Sequence, residues 1–329
     1  METRKLGTTD LQLTVLGLGT WAIGGGEWRF GWGYQDEQEA IKAVVAAIDA
    51  GINWIDTAAV YGGGQAEELV GRALQELGPS RRPIVATKCG RLLNSPDKID
   101  KVLKRESILS ECEQSLKRLQ IDCIDLYQLH WPEPDEDIEE GWSTLVELKK
   151  QGKVKEIGVS NHSVDQLKRL QEIHPVASLQ PPYSMLTADA EKKLLPFCSQ
   201  EQIGVVCYSP MAKGLLTGKV TKERVAELPE NDHRSRDPQF QPPLLDAHLG
   251  LLDCLRPIAD SHGWTLAQLA LAWVLRRNEV TSAIVGVRRP DQVDELVQAA
   301  GCRLTDQEQT TIEQLLAGHQ QAIRMGVTL

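Results

Sequence analysis

The chain has 329 residues, 41% hydrophobic and 25% charged, with a formal net charge of −10 at pH 7. That length allows two ordinary domains or one large barrel, and the composition gives either a sizeable core. The acid excess argues against nucleic acid or an anionic membrane as main partner, so an anionic ligand needs a local cluster of cations.

In chain order, Arg4-Lys-Leu and Leu11-Gln-Leu-Thr flank Gly7-Thr-Thr-Asp10, which predicts a hairpin ahead of the main fold. Short apolar runs then centre near residues 17, 54, 85, 126, 158, 178, 206 and 284. Amphipathic stretches lie between them. Ile41, Val44, Val45 and Ile48 share one helical face, as do Val70, Ala73, Leu74 and Leu77. Ile108, Cys112, Ser115 and Leu119 repeat the pattern, and so do Val164, Leu167, Leu170 and Ile173. Gly51, Gly78 and Gly152 stand where such helices should end. Strand–helix alternation eight times over predicts an α/β fold of the (β/α)₈ barrel type, with residues 1–329 as a single domain. Trp142, Trp264 and Trp273 fall on apolar helical faces and read as core. The long irregular stretch 213–246, rich in Pro, Asp and Arg, is of a length that usually serves function or moves. A last helix is expected over 305–317, with a short extension.

Gly17-Leu-Gly19-Thr-Trp-Ala22 fits the dinucleotide fingerprint G-x-G-x-x-G/A. That pattern needs a helix to open at once, whereas Gly24-Gly-Gly-Glu-Trp-Arg-Phe-Gly-Trp-Gly33 cannot open one. None of the five tyrosines has Lys four residues on. The seven cysteines show neither a Cys-x-x-Cys pair nor metal-ligand spacing, so reduced thiols and no metal site are expected. The start, Met1-Glu-Thr-Arg-Lys, has no apolar leader, and no 18-residue apolar run follows. A soluble, cytoplasmic protein without membrane or nucleic-acid partners is expected.

Asn53-Trp-Ile-Asp56 runs into Thr57-Ala-Ala-Val-Tyr61-Gly62, Pro83-Ile-Val-Ala-Thr-Lys88 into Cys89-Gly90, and Asp125-Leu-Tyr-Gln-Leu-His130 into Trp131-Pro132. Three strands thus deliver polar groups from their C-terminal ends, where a (β/α)₈ barrel places its chemistry. Together they make one candidate acid–base centre, in which Tyr61 is the candidate proton donor to a substrate oxygen. An adjacent Lys88 ammonium should stabilise the phenolate and lower its pKa from near 10, with Asp56 holding Lys88 charged. His130 is placed to hydrogen-bond and polarise the substrate oxygen.

These segments resemble the aldo-keto reductases. The resemblance rests on Asp56-Thr-Ala-x-x-Tyr-Gly62, Thr87-Lys88, Ile124–Pro132, Gly158-Val-Ser-Asn161, Gln180, Tyr208-Ser-Pro210 and Ile284-Val-Gly286, with Gln292 and Glu295 beyond. It implies a hairpin plugging the barrel bottom and a nicotinamide cofactor held by late strands and loops. Ser160, Asn161 and Gln180 match positions that hold the carboxamide, and Tyr208 the aromatic that stacks on the nicotinamide. Ser209, Pro210, Met211, Ala212, Lys213, Gly214 and Leu215 should follow the pyrophosphate. Thr20, Trp21 and Asp56 complete that side of the site. Gly286, Arg288, Arg289, Gln292 and Glu295 sit where a helix opens after the last strand, a good anion site, with Arg288 expected to meet the cofactor 2′-phosphate and Arg289 to face solvent or stack on adenine. Leu296 departs from the family's frequent Glu-Asn pair. Arg234 either folds over the pyrophosphate or makes a loop salt bridge. For the substrate, Trp21, Trp28, Tyr61, His130 and Trp131 are implicated. Phe30, Trp32 and Tyr34 complete an aromatic rim, though Trp28, Phe30 and Trp32 equally suit packing of a glycine-rich loop.

The expected function is NADPH-dependent reduction of aldehydes, and of some ketones, to alcohols, with a small-molecule carbonyl as partner. The bacterial and plant-type branch near the general stress and inositol-locus reductases is the nearest resemblance. An NAD-dependent sugar or polyol dehydrogenase and a channel-β-like regulatory subunit that binds NADPH are the rivals. Oligomeric state is left open.

Overall fold

The computed structural model describes residues 1–325. Eight parallel strands close into a barrel: β1 (Leu16–Gly19), β2 (Trp54–Asp56), β3 (Ile84–Cys89), β4 (Ile124–Leu129), β5 (Val154–Ser160), β6 (Ser178–Gln180), β7 (Gly204–Cys207) and β8 (Val280–Gly286). Each contains or abuts the apolar run read from the sequence. Closure is made by β8 against β1, with Ala283 opposite Leu16 and Gly286 opposite Gly19. The helices Glu37–Asp49, Gln65–Leu77 and Arg105–Leu119 bury the apolar faces that their spacing implied. Gly51, Gly78 and Gly152 take the positive φ values that terminate helices. The helix Val164–Gln171 stops short, leaving Ile173 exposed.

The N-terminal hairpin pairs Thr3–Lys5 with Gln12–Thr14. It carries Leu6 and Leu13 into an apolar cluster with Trp54, Ala86, Leu126 and Val206. Trp54 spans the barrel floor and donates its indole N–H to Ser282 Oγ at 3.0 Å. Gly17 makes this possible, because a Cβ there would stand 2.0 Å from the Trp54 ring. Hairpin and indole together stop the N-terminal end of the barrel.

β1 is followed only by a short 3₁₀ turn, Trp21–Ile23, so the glycine pattern opens no α-helix, in line with the sequence reading. Several other elements depart from that reading. A second hairpin, Arg91–Ser95 with Lys98–Lys101, stands over the open end and was not foreseen. The stretch 213–246 is broken by the helix Lys222–Ala226 and the 3₁₀ turns His233–Arg236 and Pro238–Phe240, and ends as the helix Leu244–Ser261 begins. The helix Leu266–Leu275 is buried on every side, so it has no amphipathic period to read. Trp142 and Trp273 are core, but Trp264 lies in the turn before that helix, stacked on His262. The final helix, Asp306–Met325, runs well beyond residue 317. Among the described residues, no helix is long and apolar enough to cross a membrane.

Candidate active site

The C-terminal ends of the barrel strands gather round one cleft of about 1200 Å³, beneath whose lining Lys88 is buried. Gly19 closes β1, Asp56 closes β2, Lys88 lies one residue from the end of β3, and His130 follows β4. Ser160 and Gln180 end β5 and β6, Tyr208 follows β7, and Gly286 ends β8.

The four groups singled out from the sequence converge at the cleft floor. Lys88 Nζ donates to Asp56 Oδ2 at 2.7 Å and to the Thr57 carbonyl at 2.9 Å, and lies 3.4 Å from the Tyr61 hydroxyl. The Tyr61 and His130 rings meet edge to face at 5.8 Å. The Lys88 ammonium and the Asp56 carboxylate are almost fully withdrawn from water, which couples them tightly. Behind Lys88, Thr87 donates to Glu67 at 2.6 Å, and Arg118 pairs with the same carboxylate at 2.7 Å. These buried supports carry no sequence signal beyond a polar residue beside an apolar run.

The electrostatics depart from the sequence argument at Tyr61. Burial pushes its hydroxyl well above the ordinary phenol pKa, and the Asp56 charge pushes the same way. The net direction is therefore upward, opposite to the lowering expected from Lys88. Burial lowers the Lys88 pKa, while Asp56 works against that shift. His130 is pushed well below the usual imidazole value by burial, then by the charges of Lys88 and Arg91. At neutral pH the floor thus holds a protonated phenol and a neutral imidazole, each with a proton to donate.

Beside this floor, Gln180 donates its amide to Asp56 Oδ1 at 2.8 Å, and Ser160 Oγ donates to the Gln180 carbonyl at 2.8 Å. Asn161 receives the Tyr208 hydroxyl at 2.9 Å and donates to the His130 carbonyl at 3.1 Å. Ser209, Ala212, Lys213 and Gly214 all have positive φ. Three non-glycine residues so placed in one short loop store strain of the kind found at ligand sites.

Ser209, Pro210, Met211, Lys213, Gly214, Arg234, Gly286, Arg288, Arg289, Gln292 and Glu295 all line the cleft. Three expected contributors do not. Thr20 is buried and bonds the Asp56 carbonyl at 3.1 Å, Leu215 packs with Phe240 and Leu245, and Ala212 packs against the core. Their short or apolar side chains are consumed by packing, leaving only main chain for a ligand.

Arg288 also differs from expectation. Its guanidinium donates to Gln35 Oε1 at 2.8 Å, to the Trp32 carbonyl at 2.9 Å and to the Tyr34 carbonyl. It therefore fastens the aromatic loop rather than standing open to an anion. Among the described residues Arg289 pairs only with Asp291, and both are exposed. Arg234 is the loop salt bridge, gripped by Asp232 at 3.0 and 2.6 Å, yet it faces the cleft with its guanidinium 4.5 Å over Trp32. Glu295 pairs with Lys219.

Trp21, Trp28 and Trp131 line the cleft, as do Phe30, Trp32 and Tyr34. Trp28 does both jobs allowed for it, since it also packs against Ala58 and Val60. His233 wedges between Trp21 and Trp32 at 4.8 and 4.9 Å, joining the aromatic loop to the 213–246 region. Arg91, Ile99, Lys101 and Glu133 of the second hairpin and its surroundings also line the cleft, and the sequence reading missed them.

Residues 15–317 match the model of the Aldo/keto reductase family. Aldo-keto reductase YhdN of Bacillus subtilis is 38% identical over 317 residues, covering 96% of this chain and 94% of the relative. The NADH-specific methylglyoxal reductase of Escherichia coli is 37% identical, covering 96% of this chain and 98% of that protein. The solved glycerol dehydrogenase AKR11B4 from Gluconobacter oxydans superposes with a TM-score of 0.86 at 37% identity, covering 96% and 95% of the two chains. The chain belongs to the aldo/keto reductase family and is an NAD(P)H-dependent oxidoreductase.

Proposed function

We propose that this protein, working as one barrel unit in the cytoplasm, reduces aldehydes to primary alcohols, and some ketones to secondary alcohols, with NADPH as donor. The observation that carries the reading is the convergence of the Tyr61 hydroxyl, Lys88 and His130 beside the Ser160, Asn161, Gln180 and Tyr208 cluster. A bound nicotinamide supplies the hydride. Tyr61 gives its proton to the carbonyl oxygen, and His130 donates a second hydrogen bond to the same oxygen, stabilising the charge that develops there. Lys88 receives the field of the emerging phenolate, and Asp56 keeps Lys88 charged. Seven free thiols among the described residues fit a reducing compartment.

The residues suit a dinucleotide. Gln180 keeps its side-chain oxygen for a carboxamide after giving its N–H to Asp56. The strained 209–214 loop and the cations Lys213, Arg234 and Arg289 suit a pyrophosphate and a 2′-phosphate. Because Arg288 is committed to the aromatic loop, the 2′-phosphate role passes to Arg289, whose exposed partner Asp291 holds it weakly.

Arg289→Ala should weaken NADPH about ten- to a hundredfold, the range of one charge-assisted hydrogen bond, and leave NADH nearly untouched. Arg288→Ala should weaken both cofactors alike by loosening the loop. Fluorescence titration of both cofactors on both variants checks this. A wild-type preference for NADH would overturn the NADPH assignment.

A second reading is favoured by the names of two relatives, an NADH-specific reductase and a glycerol dehydrogenase. Under it the protein oxidises polyols or sugars with NAD. Steady-state assay of aldehydes, sugars and polyols with both cofactors separates the readings, and cofactor binding without turnover would favour a regulatory role.

A further inference from the structure

We infer that Arg91 forms a subsite beside His130 and Trp131 for a carboxylate carried on the aldehyde substrate. The inference rests on the aldehyde-reducing reading of the same site.

Arg91 enters the cleft through a tight turn. Lys88 and Cys89 end β3, and Gly90 follows with φ of +87°. A Cβ on Gly90 would stand 2.6 Å from the Leu103 side chain. The buried Glu111 carboxylate accepts the Gly90 N–H at 2.9 Å and fixes the turn. The next residue, Arg91, opens the second hairpin and is only 7% exposed.

Its guanidinium lies 5.8 Å from the Trp131 ring centre. One terminal nitrogen, Nη2, donates to Glu133, whereas Nη1 has no hydrogen-bond partner among the described residues. A buried guanidinium N–H left unpaired is costly, and an acceptor brought in by a ligand removes that cost. Lys101 reaches the same Glu133 oxygen at 3.0 Å. Arg91 and Lys101 thus share one carboxylate, and burial raises the Glu111 pKa to about 7, which trims the negative charge behind the turn. Asp97, the other acid lining this side, is exposed at the hairpin tip, where water screens it.

The rest of the wall is apolar, with Trp28, Phe30, Ile99 and Trp131 around the corner. Low polarity strengthens a charge-assisted hydrogen bond and favours a planar carboxylate on a guanidinium. The corner also neighbours the reacting floor: the His130 main-chain N–H bonds the Cys89 carbonyl at 3.0 Å, two residues before Arg91, and the Trp131 ring that Arg91 faces follows His130. The substrate so described has an apolar or aromatic body, an aldehyde at one end and a carboxylate near it.

The test compares 3- and 4-carboxybenzaldehyde with their methyl esters, using holoenzyme and saturating NADPH. In the wild type, kcat/KM for at least one acid should exceed that of its ester about tenfold or more, with the difference in KM. Arg91→Met should erase that preference, and Arg91→Lys should restore part of it. Binding of 3- and 4-(hydroxymethyl)benzoate, followed by tryptophan fluorescence with NADP⁺ present, reads the subsite without turnover, and it should weaken by the same factor in Arg91→Met. Equal kcat/KM for acids and esters in the wild type overturns the subsite. So does an equal loss on both in Arg91→Met, which would make Arg91 a support for Trp131. If neither aldehyde is reduced while the hydroxymethylbenzoates still bind through Arg91, the aldehyde-reductase reading fails and the carboxylate subsite stands.

Discussion

Tyr61→Phe should bind cofactor normally and reduce aldehydes about 10²–10⁴-fold more slowly, the contribution of a positioned acid. Only the proton is removed. The Tyr61 ring makes the edge contact with His130, and phenylalanine keeps it. Because burial and Asp56 hold the phenol protonated, wild-type reduction should stay flat through neutral and mildly alkaline pH. Alcohol oxidation needs the phenolate and should rise with pH over the same range. Turnover in Tyr61→Phe above about a tenth of wild type, against that expected range, would remove Tyr61 as the acid.

Lys88→Met should be nearly as damaging, for two separable reasons. First, the cation that offsets the developing phenolate is lost, so alcohol oxidation should need a still higher pH. An oxidation profile with the wild-type limb would defeat the coupling. Second, the variant breaks an ion pair that is almost completely buried. Such a deletion typically costs about 3–5 kcal/mol, because the partner is left charged in a dry place. Asp56 would retain the Gln180 amide on Oδ1 but lose the ammonium on Oδ2. Denaturant unfolding of the two proteins measures the loss, and equal midpoints would show that Asp56 has taken up a proton in compensation.

Much of this molecule was readable before its structure. The eight strands announce themselves because parallel strands buried on both faces are nearly continuous apolar runs. The four groups at the floor were legible because each ends such a run, and one barrel end collects them. What escaped has physical causes. The hairpin Arg91–Lys101 is short, polar and turned by Asn94-Ser-Pro-Asp97, so it reads as loop. The helix Leu266–Leu275 lacks a polar face, which removes the period that reveals a helix. Arg288 was assigned by its distance from the last strand, but spacing along the chain says nothing of Trp32 and Tyr34, some 250 residues away, whose carbonyls claim it. The direction of the Tyr61 pKa was misjudged because desolvation is a property of depth, which no motif encodes.

Trp54 and the hairpin leucines have a kinetic consequence. With one end of the barrel stoppered, cofactor and carbonyl must use the same doorway. The groups assigned to the nicotinamide join Asp56 on the floor, whereas the exposed rings of Phe30, Tyr34 and Trp131 stand around the entrance. A carbonyl arriving first would obstruct the path its reductant has to take. On the proposed aldehyde-reducing reading, turnover should therefore be ordered, dinucleotide in first and out last with the alcohol leaving between, and product-inhibition patterns check it.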